Sequence, residues 1–428
     1  QPCNFKEKEI TYMLRVLHTA DWHLGHHLHG ISRDYEHQQF LDWLLQQLKS
    51  QQADVLIVAG DIFDTANPSA VAQTQLYDFL VKARGLCPQL DIVLVGGNHD
   101  SAARLDAPAA ILNALGVYVV GGLIRNEHGD IDWQRLLVPL KNAQGELVAW
   151  CGAMPFLRHV DLPENESEAD PLIAGVNALY SDLLAELKLK ALNDEALLLT
   201  GHCYMVGGNV SELSERKILG GNQHALPANI FPECISYTAL GHLHLAQKVG
   251  DDQSVRYSGS PIPLSFDEQH YQHQIIQVDI AADKTVTISK LLVPRSVEII
   301  RLPSASSYSD LQSILDQLTH YDFDSSLSRH QQPLLELRIA LEKPEPGLRQ
   351  QIEDCIKGLP VRLLKISTAY SGSEKGLADV VAEQRLEELQ PESVFQRCYE
   401  TKYDKQASVE MLALFNELHE TLQGDKEI

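Results

Sequence analysis

The chain has 428 residues, of which 35 are lysine or arginine and 58 are aspartate or glutamate, so its formal net charge is −23. This length predicts two or three domains, and the 44% hydrophobic content excludes disordered, collagen-like and disulfide-scaffold proteins. The acidity argues against a protein that coats nucleic acid by charge, although a local basic strip, bound cations or a partner subunit would still allow contact with phosphate.

The first twelve residues are polar and precede Met13. We expect residues 1–12 to be an N-terminal extension or a cloning remnant, with Met13 as the native start. No apolar run reaches the roughly 20 residues that a membrane span needs. No charged-then-apolar signal peptide opens the chain either.

Strand-like and helix-like stretches alternate over residues 13–294. Short apolar runs predict strands, and apolar residues at helical spacing predict helices. The predicted strands are 14–17, 55–58, 92–95, 197–199 and 235–240, and the predicted helices are 37–50 and 70–84. This alternation predicts an α/β domain.

The pattern changes after Pro294. A predicted strand at 334–340, a helix at 347–357 and a strand at 361–366 indicate a small α+β domain over residues 295–384, with prolines in its lead-in. Residues 385–428 are charged and helical. One stripe there carries Met411, Leu414, Phe415, Leu418 and Leu422. The stripe suits docking on a partner helix or packing on this chain's own domain, and both alternatives stay open.

The seven cysteines are scattered, and no C-x-x-C pair is present. This usage argues against a thiolate metal site or a disulfide framework. It favours a reducing cytoplasm.

Five polar clusters each follow an apolar strand. They are Asp21-Trp22-His23, Gly60-Asp61-Ile62-Phe63-Asp64, Gly97-Asn98-His99-Asp100, Gly201-His202 and Gly241-His242-Leu243-His244. The carboxyl ends of strands in an α/β sheet converge on one crevice, so these side chains are expected to meet. Carboxylate, amide and imidazole donors together suit Mn, Fe or Zn better than Ca or Mg.

Each cluster alone has an ordinary structural explanation. The D-x-H and G-N-H-D stretches could be surface turns, G-D-x-x-D could be a turn followed by a helix cap, and G-H after a strand is often a cap or a satisfied histidine. Five glycine-flanked clusters in this order, each after a buried strand, favour one shared metal site.

These clusters resemble those of the calcineurin-like metallophosphoesterase superfamily. The stretch HTADWHLG at 18–25 resembles the SbcD nuclease family, the bacterial branch of the DNA double-strand-break repair nucleases. VAGDIFD at 58–64, GGNHDS at 96–101, ALGHLH at 239–244 and YSGSPIPLSF at 257–266 fit the same family. The resemblance is strong over residues 13–290 and depends on layout alone after that. It implies a four-layer α/β/β/α sandwich, then a capping domain at 295–384 and partner-binding helices at 385–428.

Carried over by position, the resemblance implies two metal positions that share one carboxylate. Asp21, His23, Asp61 and His244 would hold the first ion, and Asp61, Asn98, His202 and His242 the second. His99 would stand beside the scissile phosphate as a catalytic residue. Asp64 is a second catalytic candidate. Some relatives carry histidine at that position with a proposed part in exonuclease action, and a helix start or support of the ligands are the alternatives for aspartate.

The resemblance also implies the activity and the partners. It implies Mn²⁺-dependent phosphodiester hydrolysis, with Mg²⁺ as an alternative, by a two-metal mechanism. The activities would be a 3′-to-5′ exonuclease on duplex ends and an endonuclease on hairpins and single strands, in DNA end processing, repair, recombination and replication. The family works as a homodimer with two copies of the coiled-coil ATPase SbcC. Helices at 70–84 and 101–115 are expected at the dimer interface. We expect a cytoplasmic protein, nucleoid-associated when on DNA, with no membrane contact.

Arg104, Arg158 and Arg256 are candidate DNA contacts that could line the crevice. Solvated surface charge is the alternative for each of them.

Two other functions compete with the nuclease. A small-molecule phosphodiesterase or protein phosphatase of the same superfamily would share every metal ligand, but the D-W-H-L-G opening, the 257–266 segment and the C-terminal units argue against it. A scaffold that has lost catalysis should lack some ligands, and none is missing.

Overall fold

The computed structural model describes residues 12–163, 171–205, 226–227, 230–250, 252–304 and 307–370, with residues 395, 396, 399, 405, 407, 411, 412 and 415. The described residues up to Ile299 belong to one compact unit, and those from Ile300 onward belong to a second.

The first unit alternates strands and helices. Its strands are β1 (Tyr12–Thr19), β2 (His27–Leu28), β3 (Ile31–Ser32), β4 (Val55–Ala59), β5 (Asp91–Val95), β6 (Val117–Val120), β7 (Leu137–Lys141), β8 (Leu147–Gly152), β9 (Ala196–His202), β10 (Tyr237–Gly241), β11 (Gln247–Val249), β12 (Asp252–Tyr257), β13 (Gln274–Ala281) and β14 (Val286–Leu292). Its helices are α1 (Asp34–Ser50), α2 (Ala70–Leu86), α3 (Ala102–Asp106), α4 (Ala109–Asn113) and α5 (Pro171–Lys190).

Two six-stranded sheets organise this unit. The first has the order β14-β13-β1-β4-β5-β6, and its strands β1, β4, β5 and β6 run parallel. The second has the order β11-β12-β10-β9-β8-β7, with β8, β9, β10 and β12 parallel. Every residue of β4 and β5 is buried, which explains why these strands are continuous apolar runs rather than alternating ones.

The alternating side chains of the first sheet divide between two hydrophobic cores. Val16 and Ile57 point into a core shared with Leu198 of the second sheet, and Leu17 and Leu56 point into the core formed with α1 and α2. Helix α5 packs on β8 of the second sheet. The layers are therefore helix, sheet, sheet and helix, which confirms the predicted α/β/β/α fold.

The predicted elements of this unit are present, with differences. Each predicted strand and helix overlaps an observed one. The stretch 101–115 is not one helix, because Pro108 has no N–H for the helical bond and separates α3 from α4. The sequence analysis also missed α5, whose apolar residues lie on more than one face, so that no single stripe is visible.

The second unit is built on a three-stranded sheet. It contains β15 (Ile299–Leu302), α6 (Leu311–His320), β16 (Leu334–Leu341), α7 (Leu348–Ile356) and β17 (Arg362–Tyr370), in the sheet order β15-β16-β17. Leu335, Leu337 and Ile339 of β16 pack against Ile314 of α6 and Ile352 of α7. The alternation of β16 thus places its apolar side toward the two helices.

Only part of the predicted C-terminal stripe can be described. The Phe415 ring stacks on the Phe395 ring with centroids 4.4 Å apart, so this member of the stripe contacts a residue of its own chain. Met411 is partly exposed, and Leu414, Leu418 and Leu422 lie outside the described residues. Within the described part of the chain, no helix combines the length and apolar character needed to cross a membrane.

Gly241 provides a test of how closely the two sheets approach. A Cβ added there would lie 1.9 Å from the Ala59 carbonyl oxygen and 2.9 Å from Nδ1 of His202. We expect Gly241→Ala to lower the free energy of unfolding by about 1–3 kcal/mol, since a backbone atom cannot give way cheaply. Denaturant unfolding of the purified chain measures this.

Gly85→Ala is the matched control. Gly85 lies in α2, and an added Cβ there meets no atom within 4 Å. Alanine should be neutral or stabilise this helix by up to about 1 kcal/mol. Equal stability of the Gly241→Ala variant and the parent would contradict the close approach.

Candidate metal centre

The five polar clusters meet where parallel strands of both sheets end. Asp21 and His23 follow β1, Asp61 follows β4, and Asn98 follows β5. In the second sheet His202 ends β9, and His242 and His244 follow β10. Residues more than 200 positions apart therefore lie in one cluster, as the strand order predicts.

Among the described residues, three groups of donor atoms form within this cluster, of which one comprises His23, Asp64 and His99 and the other two consist of predicted metal ligands alone. Donor atoms of Asp21, His23 and His244 lie within 4.8 Å of one another, and so do those of Asp61, His202 and His242. Asp61 stands between the groups, with Oδ2 3.6 Å from Nε2 of His23 and 3.3 Å from Nε2 of His202. The Asn98 Oδ1 atom lies 3.0 Å from the His202 Nε2 and 3.1 Å from the His242 Nδ1. All seven predicted ligands are brought together.

The backbone is strained at four of these residues. Asp21, His23, Asp61 and His242 have φ values of 54°, 48°, 48° and 102°, in the region that L-residues avoid. Each such residue costs on the order of 1–3 kcal/mol and persists only where the surrounding structure enforces it. Main-chain bonds enforce it here, from Asp21 N to Gly60 O and from His23 N to Asp61 O, both 3.0 Å. This strain aims the side chains at one point.

Buried polar atoms in the cluster fit a bound cation. Among the described residues, Asp21 Oδ2 and His23 Nε2 have no hydrogen-bond partner although they are buried. Leaving buried polar atoms unsatisfied costs about 1–3 kcal/mol each, and a cation at the point where they converge would satisfy both. Mixed carboxylate, imidazole and amide donors suit a transition-metal dication.

Three histidines have one ring nitrogen fixed by an acceptor. His202 Nδ1 lies 2.9 Å from the Ala59 carbonyl, His244 Nδ1 lies 3.0 Å from Glu268 Oε1, and His23 Nδ1 lies 3.2 Å from Asp64 Oδ1. Because Nδ1 must donate to these oxygens, Nε2 is the atom in each ring that is left to bind a metal.

The two predicted catalytic residues also adjoin the cluster. The His99 N–H donates to Asp61 Oδ1 (2.8 Å), and His99 Nδ1 donates to the Asp64 carbonyl (2.7 Å). The Asp64 carboxylate accepts from His23 and from His26 (3.0 Å). Asp64 does not start a helix, since α2 begins at Ala70 with Ser69 as its cap. These contacts favour support of the ligands, and a catalytic role for Asp64 stays a prediction.

Family models match both parts of the chain. Residues 14–245 match the calcineurin-like phosphoesterase family. Residues 294–403 match a family described as type 5 capsule protein repressor C-terminal domain, SbcD_C.

Curated relatives match over most of their length. The SbcD subunit of nuclease SbcCD from Rhodobacter capsulatus is 38% identical over 388 residues, covering 89% of this chain and 93% of that protein. The Escherichia coli K12 protein of the same name is 32% identical over 422 residues, covering 97% and 100%. The Bacillus subtilis protein is 32% identical over 314 residues, covering 71% and 76%.

The chain belongs to the SbcD nuclease family. It is therefore a metal-dependent hydrolase of the calcineurin-like phosphoesterase type, and it uses divalent metal. The assignment of individual SbcD-family ligands and catalytic residues to this chain remains our proposal.

In this SbcD-family site, neighbouring carboxylates favour the protonated ring of His202, at the position where a metal would bind. Burial alone would lower the pKa of His202, but the Asp61 carboxylate, its hydrogen bond with His202, and Asp21 raise that pKa to about 9. Burial would raise the pKa of Asp61, but His202, His99 and His23 hold it well below its usual range. Burial and then His202 lower the pKa of His242, which favours the neutral ring that a metal requires.

Sequence reasoning missed three supporting residues. Asp100 accepts hydrogen bonds from the N–H groups of Ile62 (3.0 Å), Phe63 (2.9 Å) and Gly97 (2.9 Å), which fixes the loop that carries Asp61. Glu268 and His26 contact His244 and Asp64. Asp100 and His26 stand in the quoted clusters or beside them, but nothing in the sequence around Glu268 signals its contact.

The three candidate DNA contacts have different surroundings. Arg104 is exposed on α3, shortly after the His99 loop. The Arg158 guanidinium is partly exposed and lies 4.0 Å from Asp161. Arg256 donates to the main chain and side chain of Gln253. DNA binding by each stays a prediction.

Metal binding should release a proton from His202. The raised pKa of His202 stabilises the metal-free fold fully below pH 6.5, and this stabilisation is lost as the pH rises through about 9. Because coordination at Nε2 requires the deprotonated ring, the apparent affinity for Mn²⁺ should rise by up to about tenfold per pH unit between pH 7 and 8.5.

Calorimetric titration of the metal-free chain in buffers of different protonation enthalpy measures the protons released. We expect about one proton per chain from this group. An affinity that does not change with pH would contradict the His202–Asp61 pairing.

Proposed function

We propose that this chain is the Mn²⁺-dependent nuclease subunit of an SbcCD-type complex. It would cut DNA as a 3′-to-5′ exonuclease on duplex ends and as an endonuclease on hairpins and single strands. It would act as a homodimer with two SbcC-type ATPases, in DNA end processing, repair and recombination. The names of the curated relatives support the nuclease and its partner.

One observation carries the chemistry. Asp61 stands between two groups of ligands, 3.6 Å from His23 and 3.3 Å from His202, so one carboxylate can serve two ions. Held by these residues, two divalent ions would supply Lewis-acid activation of a water and would offset charge on the phosphate oxygens. The first ion would be held by Asp21, His23, Asp61 and His244, and the second by Asp61, Asn98, His202 and His242.

The chain's own residues supply orientation and a proton. His99 is fixed through its backbone N–H on Asp61 and through Nδ1 on the Asp64 carbonyl. Its Nε2 is therefore the atom that would give a proton to the leaving 3′-oxygen, which departs poorly as an alkoxide. The His99 ring lies 4.7 Å from the His23 ring, so the proton donor stands beside the ligands.

Bound metal ions would ease the conflict between the acidity of the chain and the approach of DNA. Two dications cancel four of the formal negative charges at the point where the phosphodiester approaches. Arg104 is exposed on α3 and follows His99 closely in sequence, which supports it as a contact with phosphate. We further propose residues 295–384 as the capping domain that helps to select DNA and residues 385–428 as the segment that docks on the ATPase.

Cleavage assays with point variants test the proposal. With Mn²⁺ and end-labelled linear and hairpin DNA, Asp61→Asn should abolish cleavage, because both ions lose a ligand. His99→Ala should slow cleavage by about 10²–10⁴-fold, the usual contribution of a general acid, while Mn²⁺ binding remains. His128→Ala, which removes an exposed histidine in a surface turn, is the matched control and should behave as the parent.

A small phosphodiester separates the nuclease from its alternative. If bis-p-nitrophenyl phosphate is hydrolysed while DNA stays intact even with the ATPase partner present, the small-molecule phosphodiesterase becomes the better conclusion. If neither substrate is cleaved although two ions bind, the catalytic assignment is wrong.

A further inference from the structure

One loop of the first unit, residues 264–273, supports both histidines of the first ligand group. Glu268 of this loop is fully buried and accepts a hydrogen bond from His244 Nδ1 (3.0 Å) through Oε1. Its Oε2 accepts from the Leu264 N–H (2.8 Å), and the hydroxyls of Ser260 and Ser265 lie 3.5 Å from the carboxylate. The carboxylate is thus fixed in one orientation, and it fixes the His244 ring.

The same loop reaches His23 by a second route. The Leu264 carbonyl lies 3.0 Å from Nε2 of His26, and Nδ1 of that ring lies 3.0 Å from Asp64 Oδ1. Asp64 Oδ1 also accepts from His23 Nδ1 (3.2 Å). A chain of three hydrogen bonds therefore connects the loop backbone to the second imidazole of this group.

The second ligand group is supported differently. His202 Nδ1 lies 2.9 Å from the carbonyl of Ala59, the last residue of β4 in the middle of the first sheet. Asn98 contacts both His202 and His242 directly. These contacts come from the first sheet and from the Asn98 loop that follows it, and none of them involves the 264–273 loop.

Arg295 holds the loop in place. Its guanidinium donates to the carbonyl oxygens of Gln269 (2.8 Å) and Tyr271 (3.2 Å), which are the first and third residues after Glu268. The Val293 N–H donates to the carbonyl of His273 at the end of the loop (2.9 Å). Arg295 lies shortly before Ile300, where the second unit begins.

We propose that Glu268 is a positioning residue for the first metal, held by an Arg295 clamp. Together they make the first metal position, and not the second, depend on the loop and on the segment that leads into the second unit. The inference rests on the two-metal site proposed above. It adds a difference between the two metal positions. Changes in the 264–273 loop, which contains no metal ligand, would weaken metal binding at the first position but not at the second.

Mn²⁺ binding to the full chain tests this without an activity assay. Calorimetry gives the affinity and number of ions, and electron paramagnetic resonance distinguishes a single Mn²⁺ from a coupled pair. Glu268→Gln keeps the size of the side chain but removes its charge. It should lower the binding affinity for one of the two ions by about 10–100-fold, which is the usual effect of losing a carboxylate that orients a metal-bound histidine. The other ion should bind as in the parent, so the coupled signal gives way to that of a single ion at limiting Mn²⁺.

Two further variants address the loop. Arg295→Gln should lower the affinity for the same ion by a smaller factor, because the loop keeps its hydrogen bonds to Val293 and within itself. Asp64→Asn should also weaken that ion, through His23. Glu195→Gln is the matched control, since Glu195 is likewise buried but accepts its hydrogen bonds from Asn193, and both ions should bind it as they bind the parent.

The outcomes separate this inference from the function it rests on. A parent chain that binds fewer than two ions would overturn the two-metal site, and the inference with it. A parent that binds two ions, with Glu268→Gln leaving both unchanged, overturns the positioning role alone. Equal weakening of both ions in a variant with unchanged thermal stability overturns the selective dependence on the loop.

Discussion

The structure depends on one constraint, which is that the Asp61 carboxylate must lie between imidazoles contributed by two different sheets. His23 comes from the end of β1 in the first sheet, and His202 ends β9 in the second. The sheets can bring them together only if their inner faces pack tightly at the strand ends. Gly241 of the second sheet has no side chain where it approaches the Ala59 carbonyl of the first sheet. That carbonyl accepts a hydrogen bond from His202 Nδ1. Fold and chemistry thus share the same contacts.

The strained backbone around the ligands is stabilised by its surroundings. Residues 21–24 run alongside residues 60–62, with main-chain hydrogen bonds of about 3 Å, and Asp100 binds three N–H groups of the adjoining loops. Burial and the charge of Asp61 raise the pKa of Asp100 to about 6. Keeping the Asp100 carboxylate ionised at neutral pH therefore costs free energy of folding. The stability of the layered core allows this cost to persist, as is common at functional sites.

The strands and the convergence of the five polar clusters were predictable because each has a local signal, whereas the individual ligand assignments come from the family resemblance. An apolar run such as Val55–Ala59 followed by Gly60 and Asp61 is visible in a short window, and parallel strand ends converge by rule. The support of the ligands was not predictable. Glu268 meets His244 only because the 264–273 loop folds back, and the partner of His202 is a backbone carbonyl, which every residue has. Helix α5 was missed because its apolar residues form no single stripe, whereas the break at Pro108 has a local signal in the proline itself.

The burial of the ligands has a consequence for the order of events. Six of the seven are at most 4% exposed, whereas Asn98 and His99 are half-buried. Among the described residues of the centre, the exposed surface therefore lies on the side of the Asn98–His99 loop, which also carries the proposed proton donor. In the proposed reaction, ions and substrate would share this side of the centre. Ions would then have to bind first, and a bound nucleic acid strand would retain them until it leaves. The residence time of the metal would follow substrate turnover and not the intrinsic exchange rate of the ligands.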